Sequence, residues 1–194
     1  MRFSFRTSLL ALTLISPLSA SALKAQSNPG VNQPAMSIEA RLRQDLSGIE
    51  DVPLEAEIRA LGHDATAALI VIADDANAVP FLRLRAISCL SWSSGNRAST
   101  YLRNVLRVEQ EPMRLRAAIR AYGTREGARA MRAIAAHGQH ADGAVREAVY
   151  TALVSIQSAA STTAAQRTQV QRTLSRLLAS ETDADLAQRI RSAP

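Results

Sequence analysis

Of 194 residues only Cys89 is a cysteine, only Lys24 is a lysine, and aromatics amount to 4%. Each scarcity excludes something. One thiol cannot close an intrachain disulfide or supply the paired thiolates common in zinc sites. Few aromatics count against a sheet-rich core and leave little for base stacking or base flipping. No Gly-rich nucleotide loop occurs, and Ser, His and Asp stand without a recognisable nucleophile context. No apolar run reaches the ~20 residues that cross a bilayer. What remains is a chain 47% apolar, rich in Ala and Leu, with a net charge of +6 carried almost wholly by Arg. That palette suits one domain of close-packed helices.

Residues 1–22, "MRFSFRTSLLALTLISPLSASA", follow the layout of a secretory signal peptide. Arg2 and Arg6 form a positive start, Leu9 to Ile15 a short apolar core, and Ala20-Ser21-Ala22 a small-x-small cleavage site. The rival is an uncleaved N-terminal anchor. Cleavage implies a periplasmic or secreted protein, without stable membrane insertion once the signal is gone. It removes two Arg and no acid, leaving 21 basic against 17 acidic residues, or +4. Residues 23–36, "LKAQSNPGVNQPAM", read as a flexible leader, and 37–192 as the folded domain.

Ser37 is a helix cap ahead of a stripe formed by Ile38, Leu42, Leu46 and Ile49. Pro53 opens a second short helix bearing Leu54, Ile58 and Leu61, which Gly62 closes. A repeat then emerges. Leu84, Leu115 and Val145 align at offsets of 31 and 30 residues. An arginine column follows one position later (Arg85, Arg116, Arg146), then Ile87, Ala118, Ala148, then Ser88, Ile119, Val149. Preceding partner stripes are Ala68, Val71, Ile72; Leu102, Val105, Leu106; and Met131, Ile134, Ala135. Gly62, Gly95, Gly123 and Gly138 punctuate the turns. Val170, Leu174, Leu177 and Leu178, with Leu186 and Ile190, form a closing helix pair. Helix, turn, helix, turn at about thirty residues per unit is an α-solenoid pattern.

"ALGHDATAAL" (60–69), "EPMRLRAAIRAYG" (111–123) and "DGAVREAVYTAL" (142–153) resemble HEAT repeats of bacterial proteins. The shared elements are a Leu-Gly helix end, and an acidic residue or Pro ahead of an aliphatic-Arg pair followed by Ala and aliphatics. The resemblance covers 62–157, with 37–61 as an atypical first repeat and 164–192 as a cap. It implies an all-α superhelix of about four helical hairpins plus that cap. It also implies that column arginines such as Arg116 and Arg146 pair with acidic or carbonyl groups at the adjacent turn.

Chemistry is thin. "HGQHAD" (137–142) has two His and an Asp, but Gly138 and Asp142-Gly143 argue for a turn, with Asp142 the cap of the next helix. Cys89 among Ile87, Leu90 and Trp92 reads as a buried small hydrophobe. No catalytic, cofactor or metal residue is nominated, and no enzyme activity or cofactor is expected. Charge is distributed unevenly: residues 37–75 hold nine acids and three Arg, whereas 83–146 hold twelve Arg and four acids. A basic ridge through Arg116, Arg120, Arg146 and Tyr150 would meet an acidic protein partner. The competing account is a solvated face attracted to the chain's own acidic end. The expected function is a protein–protein interaction module or scaffold. The alternative is nucleic-acid binding through the Arg-rich middle, as in HEAT-like alkyl-DNA glycosylases, which export, few aromatics and the acidic first repeat disfavour.

Overall fold

The computed structural model describes residues 36–48, 53 and 55–192, and every regular element among them is helical. The expected signal, the leader up to Ala35, Ile49 and Leu54 lie outside the described residues. No described helix is long and apolar enough to cross a membrane.

Local chemistry sets the helix ends. Helix α1 (Ile38–Ser47) is capped by Ser37, whose hydroxyl accepts from the Ala40 amide at 3.1 Å. Helix α2 (Glu55–Ala60) leads through Leu61 directly into α3 (Gly62–Asp74), so Gly62, at φ +66°, opens the following helix besides ending the one before. Helices α4 (Pro80–Cys89) and α6 (Pro112–Glu126) start on proline, where a missing N–H leaves no intrahelical bond unmade. Helix α5 spans Asn96–Val108. A 3-10 turn (Gly127–Ala130) and the short α7 (Met131–Ala135) follow α6. Asp142 caps α8 (Gly143–Ser158) as expected, accepting from the Ala144 and Val145 amides at 2.8 and 3.1 Å. Helix α9 (Ala164–Ala179) begins with a capping box between Thr163 and Gln166, and α10 (Ala184–Ser192) closes the described chain.

Packing follows an alternation. Helix α4 lies against α6, α6 against α8, and α8 against α10. In the same way α1 meets α3, α3 meets α5, α5 meets α7, and α7 meets α9. One buried cluster threads these contacts from Leu42 to Leu186. The repeated positions fall inside it: Ile87, Ala118, Ile119, Val145, Ala148 and Val149 are all fully buried. At roughly 1.5–3 kcal/mol for each fully buried Val or Ile, these positions are a substantial part of the cohesion of the fold.

Three sequence expectations need correction. Val71 is 49% exposed; the buried stripe of α3 runs through Ala65, Ala68, Leu69 and Ile72, spacing i, i+3, i+4, i+7. Leu84 is half-buried and Ser88 exposed, so the first copy of the seam is the weakest. Gly123 is no turn residue. It sits buried inside α6, where a Cβ would stand 3.3 Å from both Ala152 Cβ and Ile134 Cδ1. Its missing side chain lets α6 and α8 approach closely. The turn comes four residues later at Gly127, which adopts φ +55° and ends α6.

Candidate functional site

The four residues of the expected basic ridge have different surroundings. Arg120 is exposed on α6. Arg116, one turn earlier, is half-buried, and its Nε is buried without a hydrogen-bond partner among the described residues. Arg146 is committed internally. Its Nε and one terminal nitrogen donate to the Glu181 carboxylate, each at 2.9 Å, and the other donates to the carbonyls of His140 and Ala141 at 2.9 and 3.1 Å. Glu181 lies in the α9–α10 turn with only 1% of its side chain exposed. The guanidinium beside it holds its carboxyl below the usual carboxylate range. Tyr150 is 1% exposed and its hydroxyl donates to the same carboxylate at 3.4 Å. Burial, reinforced by Glu181, pushes its phenol up to about 12. Tyr150 therefore offers no flat surface to a partner; it belongs to the core. The structure brings Arg146 and Tyr150 together on Glu181, as a fastening of the C-terminal helix pair.

Other arginines have similar internal roles. Arg85, in the same column, donates to the carbonyls of Leu46, at 2.8 Å, and of Gly48. Arg125 binds the Ser99 hydroxyl at 2.8 Å and the carbonyls of Leu90, Ser93 and Gly95, tying α6 to the preceding turn. Arg114 bridges Asp74 at 3.2 Å and Glu109 at 3.0 Å. Sequence reasoning passed over Arg114 and Arg125 because it followed only the arginine column one position after the aligned aliphatic residue. Glu109 is close to Arg114 in sequence, but Asp74 and the turn carbonyls lie 30 to 40 residues from the arginines that bind them, which spacing alone does not reveal.

Cys89 is 1% exposed, and burial pushes its thiol up to about 11, as suits an inert core residue. His140 Nδ1 accepts from the Asp142 amide at 3.0 Å while Asp142 caps α8, so two members of the "HGQHAD" stretch serve the turn.

Two concavities stand out. A polar one of about 330 Å³ is bordered by Arg59, the Ser91–Ser94 turn, Arg125, Glu126 and Arg129. A larger, mainly apolar groove of about 630 Å³ runs between α5 and α7. Leu106, Ala133 and Ala136 line it together with Thr100, Asn104, Arg103, Arg107 and His137. Burial and the neighbouring His140 hold the His137 imidazole below its usual value. The pattern of exposed cations at this groove was not legible from the repeat columns, since Arg103 and Arg107 lie on the partner helix.

No protein-family model, curated protein or solved structure matches the chain.

Proposed function

We propose that the chain is an exported α-solenoid of HEAT type that works by binding another protein and has no catalytic role. The observation that carries this reading is the alternation of helix contacts. Two rows of helices, each touching the next of its own row, are what stacked hairpins of about thirty residues produce. Two of the three column arginines support it as well: Arg85 and Arg146 bind turn carbonyls and a turn carboxylate, as the HEAT resemblance implies, whereas Arg116 makes no such bond among the described residues. Internal commitment of Arg85, Arg114, Arg125 and Arg146 removes cations that phosphate contacts would need, which favours a protein partner over nucleic acid. Export rests on the charged, apolar and small-residue layout of residues 1–22.

Cell fractionation with recovery of associated molecules tests both halves. The mature chain should appear outside the cytoplasm, with an N-terminus between Leu23 and Gln26, in a fixed ratio to a protein. An intact Met1 on cell-associated chain would return the anchor. Association abolished by nuclease would replace the protein partner with nucleic acid.

A further inference from the structure

We propose that the groove between α5 and α7 receives an acidic, apolar-faced helical segment of a partner protein. This deepens the protein-binding reading and rests on it.

The groove has a structural cause. Its flanking first helices are long, α5 with 13 residues and α9 with 16, but α7 has only 5 because Gly127 and the 3-10 turn occupy the residues before it. One wall of α5 is consequently left with little cover. The floor is small and aliphatic: Leu106, Ala133 and Ala136. Alanines admit close approach of a helix backbone, and a helix laid in such a groove buries its own apolar stripe.

The rim carries the charge. Arg103 and Arg107 are both exposed, and neither makes an ion pair among the described residues. Arg103 Nε donates to the Tyr122 hydroxyl at 3.1 Å, and Arg107 donates to Asn104 Oδ1 at 3.0 Å. Neutral acceptors thus steady the two side chains; Glu126 acts on Arg103 only through space, and Arg107 faces no carboxylate within ion-pair distance among the described residues. No carboxylate lines the groove. This differs from Arg114 and Arg146, each of which faces a carboxylate within the fold. Two exposed guanidinium groups without an ion-pair partner among those residues, above an apolar floor, complement Asp or Glu flanking an aliphatic stripe. A nucleic-acid strand would leave that floor unused, and no aromatic lines it to stack a base.

The test places a photocrosslinking residue at Ala136 in the full chain, in cells that produce it, with exposed Gln169 on α9 as the control position. Irradiation should yield a protein adduct from Ala136, mapped by mass spectrometry to a segment in which acids outnumber basic residues. Arg103→Glu with Arg107→Glu should lower its yield about tenfold, since reversed rim charges act on encounter and register, while Arg120→Glu leaves it unchanged. Both rim residues are exposed, and unchanged helicity and melting would confirm that this variant is folded. An adduct from Ala136 to nucleic acid, to a basic or uncharged segment, or to a second copy of the chain overturns the proposal. So does an adduct indifferent to the charge reversal. Adducts from Gln169 alone, or from neither position, overturn the groove but leave protein binding to the fractionation test.

Discussion

The two rows of helices are made from the same kinds of residue and differ in how closely they meet. In the row α4, α6, α8, small residues sit where helices touch: Ala86, Ala118, Gly123, Ala148 and Ala152 are all buried, and α6 on α8 is the broadest helix contact of the described fold. In the row α1, α3, α5, α7, α9, the fourth helix is cut to five residues and a groove opens beside it. Small side chains in the first row let backbones approach and fill space; alanines in the second line an opening. The same residue type therefore means cohesion or availability according to whether a neighbour of full length stands opposite.

The largest test of this contrast is a charge in the closed row. Val149 is fully buried on α8, the helix that α6 meets most broadly. Val149→Asp forces an unpaired carboxylate into that seam, an expected loss of about 3–5 kcal/mol that leaves a marginal domain largely unfolded. Circular dichroism melts check it; wild-type helicity and melting temperature would mean the row is looser than its burial indicates.

Next in size is Arg146→Met, which keeps much of the aliphatic stem and strands Glu181. We expect about 2–3 kcal/mol, below a fully buried pair because the guanidinium retains 13% exposure. The pH dependence has a definite sign. Glu181's carboxyl is depressed in the folded chain, so the pair's stabilisation is fully present above the ordinary carboxylate value and fades as pH falls below it, through the depressed one. The gap between wild type and variant should thus be full at neutral pH and close in acid. A constant gap at all pH values would assign the effect to lost stem packing.

How much of this was legible without coordinates depended on the kind of contact. Caps at Ser37 and Asp142 were read correctly because capping is settled within three residues of sequence. The seam from Ile87 to Val149 was read from periodicity, which burial enforces directly. Gly123 was misplaced because a glycine that permits close helix approach looks, in sequence, like one that ends a helix. Tyr150 was drawn outward because the repeat offset pairs it with exposed Arg120, yet its hydroxyl reaches a carboxylate 31 residues away. The groove was hidden for a related reason: it exists through the shortness of α7, and an absent turn leaves no stripe to count.

Gly123→Val sharpens the comparison at smaller scale. Its Cβ would already stand 3.3 Å from Ala152 and Ile134, and the γ methyls add bulk between α6 and α8. Overpacking should cost about 1–3 kcal/mol, partly offset by a few tenths gained from replacing glycine inside a helix. Equilibrium denaturation measures it. A stabilised variant would show that the closed row has room to spare.

The smallest expected effect belongs to the open row, at Ala136→Leu. Ala136 is exposed, lies just beyond the end of α7, and borders the groove. A leucine there meets solvent on the groove side, so the change in stability should stay within about 0.5 kcal/mol, the usual range for surface substitutions. The contrast with Gly123→Val is the point of the measurement: adding methyl groups to one row strains it, and adding them to the other fills an opening. The added isobutyl group would also take up part of the floor on which an acidic helix is proposed to lie, so adduct formation from a probe at nearby Thr100 should fall while the melting curve stays put. A melting shift as large as that of Gly123→Val would mean that α7 already closes against α5 in solution. The two rows would then be equally tight, and the groove would not be open to a partner.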